Sequence, residues 1–456
     1  MPLSDYRAKN YPLFMFDSEF TIDTNSKATL VSMTCPKMEN YATPELTKKS
    51  LDEMVELLRT LGVATTETFV QNKKTVDPAT IIGVGKLEEI AISAKEHGSE
   101  LLVLDFELTA GQIKNIREVT KMAVVDRCHV ILEIFAKHAR TKEAKIQIEI
   151  ARLEYILPRL TGFWSHLSRQ KGGIGVMSGE GEKQIELDRR IIKDRIKFFK
   201  QELEDVIVSR EQQRKKRQNK AITAALIGYT NTGKSSIMNR LCHVNILEED
   251  KLFATLDATY RTLNPDTKPP MILIDTVGFI SNLPNTLIDG FKTTLESAIE
   301  ADLLLIVCDI SSPNYQDQLE VTKRVMKELG VDKKDQLIIF NKKDKLDNWQ
   351  TSKIISRVYP NSFVVSSYDE EDMNKLQEHI INFFLSKQSH YDIFIPYELG
   401  NLHSVVITNT NIINRENHEK GIFYRLSAPD FIFNNLGLSN YILAPNDPIR
   451  QEKKVD

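Results

Sequence analysis

Cysteine is scarce in this chain. Its four residues, Cys35, Cys128, Cys242 and Cys308, lie far apart and form no C-x-x-C pair. That excludes a disulfide-stapled scaffold and a paired-cysteine zinc site; it fits a reduced compartment, with each thiol a small buried hydrophobe. Histidine is also sparse, nine residues with no H-E-x-x-H, which removes a common metalloprotease signature. No apolar run reaches membrane length, and one of the longest, Leu303 to Cys308, has the length of a strand. The first residues show no cationic stretch followed by an apolar one, and Asp5, Asp17 and Glu19 do not suit a transit peptide. The formal net charge is only −3, so the whole molecule is not a polycation. A cytosolic protein is expected, at most peripheral to a membrane. At 456 residues it should hold three or four domains.

What the chain does have is a glycine loop in a telling place. Gly228-Tyr229-Thr230-Asn231-Thr232-Gly233-Lys234-Ser235 follows the apolar run Ala221 to Ile227 and precedes Ser236 to Leu241. Strand, G-x-x-x-x-G-K-S and helix, in that order, make a phosphate-binding loop. Backbone N–H groups turn onto phosphate oxygens, and the helix start adds its dipole. Lys234 would reach the β/γ-phosphates, Ser236 belongs to the same phosphate-binding set, and Ser235 would bring a hydroxyl to Mg²⁺.

Three more segments point to guanine. Asp275-Thr276-Val277-Gly278 follows the run Met271 to Ile274. There Asp275 would hold the water shell of Mg²⁺, and Gly278 would turn its N–H to the γ-phosphate. Asn341-Lys342-Lys343-Asp344 follows Leu337 to Phe340. A carboxylate here accepts from guanine N1 and its exocyclic amine; adenine would leave it unpaired, a difference worth roughly 10⁴-fold or more. Ser366-Ser367-Tyr368 follows Phe363 to Val365, where a backbone donor to guanine O6 is expected. Between loop and Asp275 lies Phe253-Ala254-Thr255-Leu256-Asp257. A switch segment needs a Thr on Mg²⁺ and the γ-phosphate; Thr255 is first choice and Thr259 the alternative. Many GTPases carry a water-orienting Gln after the second switch glycine, but here Phe279 stands, so intrinsic hydrolysis should be slow. Asn231 has two readings: a contact to K⁺ near the β/γ bridge, or a cap on the loop's own backbone.

The flanks are organised differently. Residues 1–130 read as an α/β subdomain, with Leu51 to Leu61, Gly85 to Lys95 and Gln112 to Thr120 helical, and Ala79 to Ile82 and Leu101 to Leu104 as strands. In 131–215, Ile146, Ile150, Leu153, Leu157 and Leu160 make one a/d-type seam, and Ile185, Ile192, Ile196, Phe199, Leu203 and Val206 a second. The expected form is two long antiparallel helices joined by the glycine-rich segment Gly172 to Gly181. Fourteen cations decorate it: Arg140, Lys142, Lys145, Arg152, Arg159, Arg169, Lys171, Lys183, Arg189, Arg190, Lys193, Arg195, Lys197 and Lys200. Near the tip, Arg169, Lys171, Gly172, Gly173, Gly175 and Lys183 are the candidate RNA contacts, beside Phe163 and Trp164. Locally paired charges on a solvated face are the competing reading. Residues 221–388 form the nucleotide domain and 389–456 a small α/β domain.

Taken with Gly83 to Ile90, Asp126-Arg127, Ala139 to Lys145, Phe253 to Asp257 and Asp275 to Ile280, the chain resembles the HflX family of ribosome-associated GTPases. The resemblance implies a multidomain α/β protein that hydrolyses GTP with Mg²⁺, binds the large ribosomal subunit through the hairpin tip, and splits or rescues ribosomes; the sequence itself shows no clear sign of oligomerisation, so a monomer is expected. A GTP-gated assembly factor without splitting activity is the alternative. A hydrophobic residue such as Phe279 is usual in the family. Departures are Gly179-Glu180-Gly181-Glu182-Lys183 in place of G-P-G-E-T, Ala258 for Pro, Ser367 for Ala, and the acids Asp369 to Asp372 where glycine is common.

Overall fold

The computed structural model describes residues 22–23, 25–160, 178–218, 221–243, 252–253, 258–264, 268–281, 299–346 and 349–444, with side chains of its longest helix over 185–209. The chain divides into two compact units. The first is Met1–Glu202 joined by short segments that include Leu252, Phe253 and Ser281; the second holds most of the rest.

The first unit is built on four parallel strands: β1 (Lys27–Thr34), β2 (Ala64–Asn72), β3 (Leu101–Leu104) and β4 (Ala123–Asp126), in the order β2-β1-β3-β4. Every residue of β1 after Lys27 is buried, as a parallel sheet covered on both faces requires. Helices α1 (Pro44–Leu61) and α4 (Arg127–His138) pack together, as do α2 (Val84–Glu96) and α3 (Ala110–Thr120). The starts of these helices are written locally. Thr43 accepts from Leu46 N before Pro44 at the first turn. Thr109 and Gln112 make a reciprocal capping box. Asp126 ends β4 and caps α4 through His129 N.

Two expectations change here. Ala79 to Ile82 is a turn, because the Asp77 carboxylate accepts from Ala79 N at 2.9 Å and Thr80 N at 3.3 Å. The strands that were not anticipated are β1 and β2. The boundary placed at 130/131 falls inside α4.

Next comes α5 (Lys142–Ile156), followed by a tight turn over Leu157–Arg159 at Pro158. Its seam residues Ile146, Ile150 and Leu153 are buried, but so are Ala144, Gln147, Ile148, Ala151, Tyr155 and Ile156. A helix buried nearly all round belongs to a core rather than to a projecting arm. The long helix is α6 (Ser178–Gln218). Lys142–Glu202 at 2.7 Å, Arg195–Glu149 at 3.6 Å and Lys200–Glu154 at 2.8 Å join it to α5. Arg152 pairs with Glu133 at 3.0 Å and Arg159 with Asp126 at 3.5 Å. Among the described residues at least five of these cations are therefore paired with acids of the same unit. Arg169, Lys171, Gly172, Gly173 and Gly175 lie outside the described residues, and Lys183 is in α6 with no side chain described.

In the second unit a six-stranded sheet runs β10-β9-β8-β5-β7-β6. Its strands are β5 (Ile222–Gly228), β6 (Thr259–Asn264), β7 (Met271–Asp275), β8 (Leu303–Asp309), β9 (Gln336–Asn341) and β10 (Ser362–Val364). All pairings are parallel except β6 with β7. Helices α7 (Lys234–Leu241), α8 (Tyr315–Glu328), α9 (Trp349–Val358) and α10 (Glu370–Ser386) accompany it. Leu226, Leu273, Leu305, Ile339, Ile237 and Leu376 share one apolar core. The chain ends with an antiparallel sheet, β11 (Ser389–Pro396), β13 (Gly421–Ala428) and β12 (Asn411–His418) in that order, plus α11 (Gly400–Asn409) and α12 (Asp430–Asn435). Among the described residues no helix is long and apolar enough to cross a membrane.

Candidate functional site

Four strand ends converge at one edge of the six-stranded sheet. β5 runs into the glycine loop, β7 ends at Asp275, β8 at Asp309 and β9 at Asn341. Parallel strands necessarily bring their carboxyl ends to the same edge, the usual ligand edge of open α/β sheets.

The loop is held by its neighbours. Gly233 has φ 88, and a Cβ there would collide with the Asn341 amide. Asn341 Nδ2 donates to Thr232 C=O at 3.0 Å, and its Oδ1 accepts from Ser367 N at 3.1 Å. One buried side chain thus ties the phosphate loop to the last guanine segment. Lys342 Nζ donates to Asn231 C=O at 2.7 Å and pairs with Asp309 at 2.7 Å. Asn231 has φ 58, a conformation that Asn adopts readily.

Lys234 is buried, and its ammonium donates to Tyr229 C=O at 2.7 Å and Gly228 C=O at 3.3 Å. Burial pushes its pKa down to about 8, against the pull of Asp275. Ser235 Oγ donates to Asp275 Oδ2 at 2.7 Å. A hydroxyl and a carboxylate side by side are hard oxygen donors that suit Mg²⁺. Thr276 Oγ1 donates to Leu226 C=O at 2.7 Å. Beyond it the backbone folds onto the loop: Thr230 N donates to Phe279 C=O at 2.8 Å and Phe279 N to Gly228 C=O at 3.0 Å. A Cβ on Gly278 would come within 2.7 Å of Thr230 Cα and 2.9 Å of Lys234 Nζ, so only glycine fits.

On the base side, Ser366 Oγ donates to Asp344 Oδ1 at 2.6 Å. Asp372 accepts from Ser366 N at 2.8 Å and pairs with Lys343 at 2.6 Å, while Asp369 caps α10. The acids that looked like a departure therefore hold the loop and the helix. Tyr368 is exposed, with Arg240 near its ring. Asp309, Asp372 and the Phe279 backbone were not anticipated. Asp309 was findable, since it follows an apolar run as Asp275 does.

The first switch is only partly in view. Ala254, Thr255, Leu256 and Asp257 lie outside the described residues. Phe253 is seated in the first unit, its ring 4.6 Å from that of Phe135. Thr259, the alternative to Thr255, starts β6 and pairs with Asp275. Among the described residues no group of three His, Cys, Asp or Glu could hold a metal ion.

Residues 48–136 match the family described as GTP-binding GTPase N-terminal, 138–217 the GTP-binding GTPase middle region, and 223–342 the 50S ribosome-binding GTPase family. A GTPase HflX of Lacrimispora saccharolytica is 39% identical over 390 residues, covering 85% of this chain and 92% of that protein. A GTPase HflX of Flavobacterium psychrophilum is 43% identical over 300 residues, 66% of this chain and 72% of its own. Among solved structures, a GTP-binding protein from Sulfolobus solfataricus in complex with GDP is similar at 24% identity, with TM-score 0.43, covering 78% of this chain and 98% of that one. With one relative 39% identical across 85% of this chain and three family models matching in order along it, the chain belongs to the HflX family of GTPases and is an enzyme that hydrolyses GTP.

Proposed function

We propose that this GTPase binds ribosomes through the large subunit and uses its nucleotide cycle to split or rescue them. The observation that supports it is the match of residues 223–342 to a family described as 50S ribosome-binding GTPases, on a sheet whose parallel strands end at the glycine loop, Asp275 and Asn341. Lys234 would leave its loop carbonyls to neutralise β/γ-phosphate charge. Ser235 would ligate Mg²⁺, Asp275 would hold the metal's water, and Thr255 would complete the set. The bound metal would supply charge neutralisation at the phosphates. Asp344, held in place by Ser366, would select guanine. Phe279 offers no group to orient water, so the attacking water would be placed by the backbone or by the ribosome. Arg169, Lys171 and the glycines of the tip are proposed to meet ribosomal RNA.

The test is GTP turnover by the purified protein, with and without large ribosomal subunits, at low and moderate salt. Stimulation by subunits that weakens as salt rises supports the reading, because phosphate contacts release counterions. Turnover indifferent to subunits would sink it. Sedimentation of intact ribosomes with GTP then separates the two roles. Free subunits indicate splitting, whereas intact ribosomes together with binding to immature large subunits indicate an assembly factor.

A further inference from the structure

The Asp126-Arg127 pair belongs to the family resemblance, yet the nucleotide site gives it no task. Asp126 has a local one: it caps α4, accepts from Leu108 N at 3.1 Å and from the Tyr155 hydroxyl at 2.8 Å. Arg127 does something else. It is 2% exposed, and its Nη1 donates to Asp105 Oδ1 at 2.8 Å. Its Nη2 donates to Glu53 and, at 2.9 Å, to the backbone carbonyl of Ser281, 154 residues away. Glu53 Oε1 also lies 3.5 Å from Ser281 N. The planar fork of a guanidinium suits this: one arm stays on Asp105 while the other reaches a carbonyl. Both backbone polar groups of Ser281 are thus faced by side chains of α1 and α4 within its own unit.

Ser281 follows Gly278 by three residues, about 10 Å of chain at full extension. Gly278 itself lies close against Lys234 Nζ and Thr230. The other nucleotide-sensing segment has a matching anchor. Leu252 N donates to Thr60 Oγ1 at 3.2 Å, and Phe253, 2% exposed, packs edge-on against Phe135. Each switch segment therefore has one end seated in the first unit. A segment fixed at one end loses less freedom when a ligand orders it.

We propose that Arg127 and Glu53 are positioning residues for GTP: by clamping Ser281 they set where Gly278 rests and so favour the nucleotide that carries a γ-phosphate. The proposal rests on reading Gly278 as a γ-phosphate contact. GDP lacks that phosphate, so the clamp leaves GDP affinity alone.

The experiment uses the full chain and measures affinity for GDP and for a non-hydrolysable GTP analogue, together with kcat. Arg127→Lys keeps a cation beside Asp105 but cannot also span to Ser281. It is expected to weaken the analogue at least fivefold and lower kcat, with GDP affinity within twofold of wild type. Glu53→Ala leaves the Arg127–Asp105 pair in place and serves as the second variant should the first not fold; the same selective loss is expected. Equal loss for both nucleotides, or no loss in a folded variant, overturns the clamp. A wild-type chain that binds neither nucleotide would instead sink the reading of the site itself.

Discussion

Asp344 sits in an exposed turn, yet one hydrogen bond fixes its carboxylate: Ser366 Oγ at 2.6 Å. A carboxylate oxygen accepts more than one hydrogen bond, so both oxygens keep the capacity to accept from a base edge. Asp344→Asn replaces an acceptor with a donor opposite guanine N1, so GTP affinity should fall at least tenfold while the fold survives. Titration with a fluorescent GTP analogue checks it, and equal affinities would remove Asp344 from the base site. The cysteines offer a test of burial. Burial raises the Cys242 thiol to about 11, against Arg261, and the Cys308 thiol to about 12, with Asp309 adding to it. Alkylation of Cys242 in the native protein should therefore keep rising tenfold per pH unit past pH 9, where an ordinary thiol levels off. The same shift means the unfolded chain loses these protons first, so the two thiols cost stability as pH rises above about 9. Iodoacetamide rates from pH 7 to 10 measure the first effect.

Elements were legible where local chemistry decided them. The phosphate loop, the Asp275 and Asn341 strand ends and the Leu101 strand follow from apolar runs ended by a few special residues, and these runs are buried on both faces. β1 and β2 were not legible, because Thr29, Ser32 and Thr34 interrupt the apolar pattern. Thr29 and Ser32 are reconciled only by partners far along the chain, Thr29 with Ser99 and Ser32 with Asp105. The seam in α5 was found, but its burial on the remaining faces depends on α4 and on Asp126, which no periodicity reveals. Capping predicts a contrast between elements. Thr109→Ala removes one exposed capping box and should cost about 1 kcal/mol. Asp126→Ala empties a fully buried carboxylate site that faces Arg159, and should cost about 3–5 kcal/mol. Urea melts of the two variants decide; equal costs would mean Asp126 is only a cap.

On the scale of the whole molecule, the division into two units is the feature a single-unit reading of a nucleotide domain misses. Calorimetry should show two transitions. GDP at a hundred times its dissociation constant adds about 2.7 kcal/mol to the unit it binds, and this should raise only the transition of the six-stranded sheet, by roughly 5–10 °C. The GTP analogue should raise both, through Ser281. A single transition moved equally by both nucleotides would contradict this picture.

The long reach from Arg127 to Ser281 also has a history in time. During synthesis α4 leaves the ribosome well before residue 281 has been joined to the chain. At about 5–20 residues per second the interval is roughly 8–30 s, across 154 residues. Through that interval the buried guanidinium has Asp105 and Glu53 but not its carbonyl, and Phe135 waits likewise for Phe253. The first unit is thus begun early and finished late, its last pieces delivered by the domain translated after it, so a nascent chain halted before residue 252 would lack the ring that Phe253 sets against Phe135.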